Sequence, residues 1–213
     1  LEWKISFLNN ILVYVIILLP INLLFALNLI GDEKSSENDK TNIFFLWPII
    51  IFLLAIIAMA NALTEGSVDA WGALYMRDYL QAEGFNVGLA AIAFNGAMVI
   101  GRLTGDQLKA VFGIQQFLFI SIVCSLIGVI IVLFSKVVLF SIIGFVIAGL
   151  GVSSVIPICY TLASSIKNIN STVGITIITI AVYGDFMIAP PILGYTANII
   201  GIQYVYLPIV ILF

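Results

Sequence analysis

Long apolar runs alternate with short polar ones along almost the whole chain. The first extends from Ile5 to Ile30, interrupted by Asn residues and by Pro20. Others run from Ile43 to about Leu63, from about Val87 to Leu103, and from Gln116 to Phe134, Val137 to Leu162 and Thr172 to Ile192. A helix needs about 20 mostly apolar residues to cross a bilayer, because lipid offers the backbone no hydrogen-bonding partner. Strands of a membrane barrel would instead alternate over about 10 residues. The runs therefore predict an all-α transmembrane fold with six membrane-spanning helices. Tyr204 to Phe213 reads as the beginning of a truncated seventh, since it is roughly half of a span. The chain opens on Leu1 and stops inside this apolar run, so a fragment is expected.

The connections are short, with two exceptions. Gly31 to Asn42 (GDEKSSENDKTN) is wholly polar and aperiodic, as in a flexible surface linker. Thr64 to Asn86 carries Glu65, Asp69, Arg77, Asp78 and Glu83 among aromatic residues; its first part is expected to continue the second helix and the rest to form a loop. Gly101 to Gln115, Ser135 to Lys136, Ala163 to Ser171 and Leu193 to Gln203 complete the set. Lys34, Lys40, Arg102, Lys109 and Lys167 then fall on one side of the membrane, and Lys4, Arg77 and Lys136 on the other. This excess favours a cytoplasmic linker, since positive residues collect inside.

Composition agrees with the hydropathy. Of 213 residues, 62% are hydrophobic and 9% charged, against about 45–50% and about 25% in ordinary soluble domains. Too little polar surface is available for a soluble domain or a disordered tail. Eight Lys and Arg against eleven Asp and Glu give a net charge of −3, and no basic stretch could neutralise a phosphate backbone, so no nucleic-acid partner is expected. The chain has no His, and its two cysteines, Cys124 and Cys159, lie far apart in apolar runs. They read as small buried hydrophobes, with no metal site or cofactor implied.

Gly101-Arg102-Leu103-Thr104-Gly105-Asp106, closing with Phe112-Gly113, resembles the loop between helices eight and nine of major facilitator superfamily (MFS) transporters. EGSVDAWGALYMRD (Glu65 to Asp78) is similar to the seventh-helix segment of that family's fucose-permease-like and sugar-transporter-like branch. Tyr183-Gly184, Pro190-Pro191 and Gly194 resemble its eleventh helix. The three segments occur in family order across nearly the whole chain. The resemblance implies the C-terminal half of the fold: residues 1–30 as a helix-six-like span, 31–42 as the central cytoplasmic linker, and 43–213 as helices seven to twelve with the last truncated. It also implies a cytoplasmic signature loop carried by Gly101, Arg102, Gly105, Asp106 and Gly113.

Three departures stand out. The family usually has a basic residue where Gln107 stands, and more of them where Ile114-Gln115-Gln116 stand. Its seventh-helix acid directly precedes Trp, whereas here Ala70 separates Asp69 from Trp71, a shift of about 100° around the helix. Asp185 occupies a position that is more often uncharged.

Helical spacing groups the remaining polar residues. Arg102 and Asp106, at i and i+4, can support one another and form either a conformational latch or a solvated helix end. Glu65 and Asp69 share a face near the outer end of the second span; they would line a cavity, since ionisable groups at membrane depth usually face water or a partner, or they mark the helix end. Trp71 and Tyr75 are interfacial anchors or stacking surfaces for a solute ring. Asn95 suits an interhelical hydrogen bond. Thr172, Thr176, Thr179 and Tyr183 form a polar stripe that either lines a cavity or bonds its own backbone. Asp185 projects from nearly the opposite face, as a wet carboxylate at the outer mouth or a protonatable group in a dry setting. Gly144 with Ala148, and Gly149 with Ser153, are small-residue faces suited to close helix packing, and Pro157 can bend the end of that helix.

The expected function is a secondary transporter of a small solute, with or without a proton, working by alternating access in a bacterial cytoplasmic membrane. Its partners would be the lipid bilayer, the solute and the N-terminal half of the same protein. An integral membrane enzyme and a non-catalytic scaffold are the alternatives. The enzyme lacks a nucleophile motif with a partner base.

Overall fold

The computed structural model describes residues 49–166 and 170–213. The predicted first span, the polar linker, the beginning of the second span and Lys167 lie outside the described residues. Within them the chain is all-α: five helices are long and apolar enough to cross a membrane, followed by a short apolar helical stretch. These are α1 (Ile49–Leu74), α2 (Leu89–Phe112), α3 (Ile114–Phe134), α4 (Val138–Ser164), α5 (Ser171–Ile200) and the short α6 (Leu207–Leu212).

Several helices run past the ends predicted from hydropathy. α1 continues through Glu65 and Asp69 and closes with a π turn, Tyr75–Tyr79. The chain then reverses through left-handed backbone at Gln81 (φ 55°) and Gly84 (φ 57°). α2 continues through the expected Gly101 loop to Phe112, so the signature segment is helix rather than loop. Nothing in Arg102 to Phe112 breaks a helix; the break comes at Gly113, whose φ of 79° suits glycine and which caps both α2 and α3. α5 likewise runs to Ile200 with Pro190 and Pro191 in its interior, where a loop was predicted from Leu193. α4 continues past Pro157 to Ser164. Asn170 caps α5 by accepting from the Thr172 N–H at 2.9 Å, satisfying one of that helix's free donors.

α4 lies at the centre, packed against α1, α2, α3 and α5, and its contact with α3 is the most extensive. Small residues allow this. A Cβ on Gly128 of α3 would strike the backbone of Ala148 and Gly144; one on Gly151 of α4 would strike the backbone of Ser121 and Ser125; one on Gly149 would strike the Phe94 carbonyl of α2. Gly101 and Gly105 of α2 face Ser153 and Ser154 of α4 in the same way. In lipid, where apolar surface gains little by turning inward, such close approach is a main source of helix association.

Near the Tyr79 end, Tyr75, Phe145 and Tyr206 form an edge-to-face cluster with centroids 5.3–6.3 Å apart. The Tyr75 hydroxyl donates to the Val132 carbonyl at 2.6 Å, one of the carbonyls that the end of α3 leaves without a full helical partner. Outward-facing residues such as Phe119, Phe134 and Leu139 are more than half exposed, forming the lipid-facing surface.

Gly151→Val should therefore lower the melting temperature of the intact protein in detergent, by the roughly 1–3 kcal/mol or more typical of overpacking. Gly184→Ala, at a helical glycine with open space around its Cβ position, should leave it unchanged or raise it slightly.

Candidate functional site

Glu65 lies within a residue of the midpoint of the 31-residue span Ile49–Tyr79, and Asp69 one turn further on. Both lie well inside the helix, because α1 extends so far beyond Leu63. Asp69 is exposed and Glu65 half-buried. Asn95 of α2 donates from Nδ2 to Asp69 Oδ1 at 3.0 Å, joining two predicted site residues across neighbouring helices. Arg102, two turns further along α2 on the same face, is exposed and interacts electrostatically with the Glu65 carboxylate. Glu65, Asp69, Asn95 and Arg102 therefore form one polar face across α1 and α2.

Arg102 and Asp106 do not form the expected pair. Asp106 is held instead by Lys109 at 2.6 Å, an i, i+3 contact at an exposed helix end. One turn of helix brings both Arg102 and Lys109 within reach of Asp106, and Lys109 takes it. Of the signature residues, Gly101 and Gly105 contact α4 and Gly113 makes the turn.

Tyr75 is neither an anchor nor a stacking surface. It is fully buried in the aromatic cluster, and its hydroxyl is occupied by α3. Trp71 is half-buried, with its indole beside Gly194 of α5. Tyr183 is 67% exposed and continues the stripe of Thr172, Thr176 and Thr179. Within the stripe, Thr176 and Thr179 donate to their own helix, at the carbonyls of Thr172 (2.8 Å) and Ile175 (2.9 Å).

Asp185 sits at the middle of α5 and is buried at 5% exposure. It borders a cavity of about 410 Å³ between α1, α5 and α6, whose other lining includes Met59, Leu63, Ile188 and Ile192. Its Oδ2 is buried without a hydrogen-bond partner. Among the described residues the carboxylate is the one charged group in that lining, and it faces away from the threonine stripe.

Of the predicted small-residue faces, Gly144 and Ala148 meet Gly128 of α3, Gly149 meets Phe94 of α2, and Ser153 meets Gly101. Sequence reasoning missed the role of Lys109, although its i, i+3 spacing from Asp106 was readable. It also missed Tyr206, whose position in the aromatic cluster carries no local signal.

The described residues define a multi-pass, all-α membrane protein with ionisable groups gathered on one face of α1 and α2. The chain is similar to the membrane protein MosC of Rhizobium meliloti, 28% identical over 175 residues, which are 82% of this chain and 43% of MosC. It is also similar to an uncharacterized transporter of Sinorhizobium fredii, 28% identical over 148 residues (70% of this chain, 39% of the relative). An uncharacterized MFS-type transporter of Yersinia pestis is 27% identical over 183 residues (86% and 48%). The chain thus spans less than half the length of each of these relatives. No family model matches the chain and no solved structure does.

Tyr75→Phe should cost about 1 kcal/mol of stability, the usual worth of one hydrogen bond, read as a lower melting temperature of the intact protein. Tyr183→Phe, at an exposed ring, should leave the melting temperature unchanged.

Proposed function

We propose that this chain is the C-terminal half of a secondary transporter of the MFS type, in the fucose-permease-like or sugar-transporter-like branch. It carries a small polar solute by alternating access, as two halves rock about a site at mid-membrane. The observation that carries this reading is the polar face of Glu65, Asp69, Asn95 and Arg102. Ionisable groups at membrane depth are costly and are kept where they face a cavity or a partner. The names of the relatives from Sinorhizobium and Yersinia support the same reading.

In this assignment residues 1–30 are a helix-six-like span, 31–42 the cytoplasmic linker, and 43–213 the second bundle. The companion bundle comes from the same protein, in a bacterial cytoplasmic membrane. Trp71 and Tyr183 offer partly or largely exposed rings for a solute such as a sugar. Asp185 is the proton site: a mid-membrane carboxylate among apolar neighbours, with no charged group facing it from α1 or α6, can change charge when the cavity wets. A membrane enzyme is the weaker reading, because Asp69 is engaged by the Asn95 amide and neither carboxylate has a nucleophile beside it among the described residues.

Uptake by the intact protein in proteoliposomes, over a panel of sugars and drugs with and without a pH gradient, tests the proposal. Glu65→Gln and Asp69→Asn should each lower uptake of the accepted solute at least about tenfold, the equivalent of 1.4 kcal/mol. Asp185→Asn should remove the response to the proton gradient. No uptake of any solute by the unaltered protein would refute transport, and an unchanged pH response in Asp185→Asn would refute the proton site.

A further inference from the structure

The polar face holds charges of both signs that do not close on one another. Among the described residues, the closed ion pairs are Arg77 with Asp78 and Lys109 with Asp106, both at helix ends. Glu65 and Arg102 interact electrostatically without joining them. Their placement follows from the register of the two antiparallel helices. Asp69 and Asn95 are level, bonded at 3.0 Å. From that rung Glu65 lies about 6 Å, and Arg102 about 10 Å, toward the same side of the membrane at 1.5 Å per residue. Glu65 and Arg102 thus stand on adjacent helices, on the same side of that rung and about 4 Å apart in depth. Asp69, held by Asn95, supplies a further acceptor beside them.

Two unclosed opposite charges in the middle of a membrane are costly unless water or a ligand completes them. A neutral polyol would need hydrogen bonds but no charges. An anion would meet two carboxylates, and a simple cation would leave Arg102 uncompensated. A solute carrying an ammonium and a carboxylate answers both groups: its ammonium at Glu65 and Asp69, its carboxylate on the Arg102 fork, which suits two-point carboxylate recognition.

We infer that Glu65 and Arg102 together form a binding site for small zwitterions, bridging the open interval between them. This inference rests on the polar face being the solute site and adds the class of solute.

The test is equilibrium binding to the intact, detergent-purified protein of glycine, 3-aminopropionate and 4-aminobutyrate, each beside its matched amine and matched acid. One of the three zwitterions should bind at least about tenfold more tightly than either single-charge counterpart, since hydrogen bonds to charged groups are worth about 1.5–3 kcal/mol. Glu65→Gln and Arg102→Gln should each lower that affinity about tenfold or more. The reversed pair Glu65→Arg with Arg102→Glu should recover part of it, because the ligand can turn round; unchanged helical circular dichroism certifies that each variant is folded. An amine or acid binding as well as its zwitterion, affinity within twofold in both single variants, or no binding of any zwitterion would overturn the inference. Sugar uptake without zwitterion binding would remove this inference and leave the transport reading. Zwitterion binding without uptake of any solute would do the reverse.

Discussion

The contact between backbones along α4 is the interaction on which the other helix positions depend. Gly149 lies against the Phe94 carbonyl of α2, and Gly151 against the backbone of Ser121 and Ser125 of α3. In water a bundle would gain from withdrawing its apolar side chains. In lipid that gain is nearly absent, so association relies on close packing and on hydrogen bonds between helices. α4 therefore presents small residues to two neighbours at once. Because α2 is fixed on α4 through Gly101, Gly105 and Gly149, its rotation is fixed too. That rotation turns Asn95 toward Asp69 of α1.

The second constraint is the accounting of polar groups. Threonines of α5 bond their own helix; Tyr75 takes a carbonyl at the end of α3; Asn61 of α1 donates to the Val152 carbonyl of α4 at 3.3 Å. These are ordinary ways of satisfying polar atoms where water is scarce. Glu65, Arg102 and Asp185 do not fit among them. Each is ionisable, each lies well inside a span, and none has a closed ionic partner among the described residues. They stand apart because stability alone does not account for keeping them.

Much of the helix content was legible, because apolar runs of this length have no other solution in lipid. The ends were less so. Arg102 to Phe112 looks like a loop by polarity, yet only Gly105 in it disfavours a helix, and it is packed on α4, whereas Gly113 is where the backbone demands a glycine. The separation of Asp185 from the threonine stripe followed from the helical period alone. The Asp69–Asn95 bond could not be read: the residues are 26 apart, and their meeting depends on how two helices are rotated. Tyr75 has the same difficulty, since its partner Val132 is 57 residues away and an aromatic near a helix end looks alike whether buried or interfacial. Local spacing favoured Arg102 as the partner of Asp106, but Lys109 competes for that carboxylate and Glu65 competes for the arginine.

The two unclosed sites are separated by α1. The polar face with Arg102 lies toward α2, whereas Asp185 meets α1 from α5, beside Met59 and Leu63. Among the described residues no side chain between them carries charge from one to the other, so any influence of Asp185 on the polar face has to pass through the position of α1 itself. That helix is tied to α4 by Asn61 and to the end of α3 by Tyr75. On its α5 side, where its helix contact is most extensive, it presents Gly66 to the Phe186 ring. A change of charge at Asp185 alters how closely α5 can sit against the apolar side of α1, because a charged carboxylate requires water there and a neutral one does not. The packing of α5 on α1 is thus the physical link between the buried acid and the exposed polar face, without a chain of ionisable groups between them.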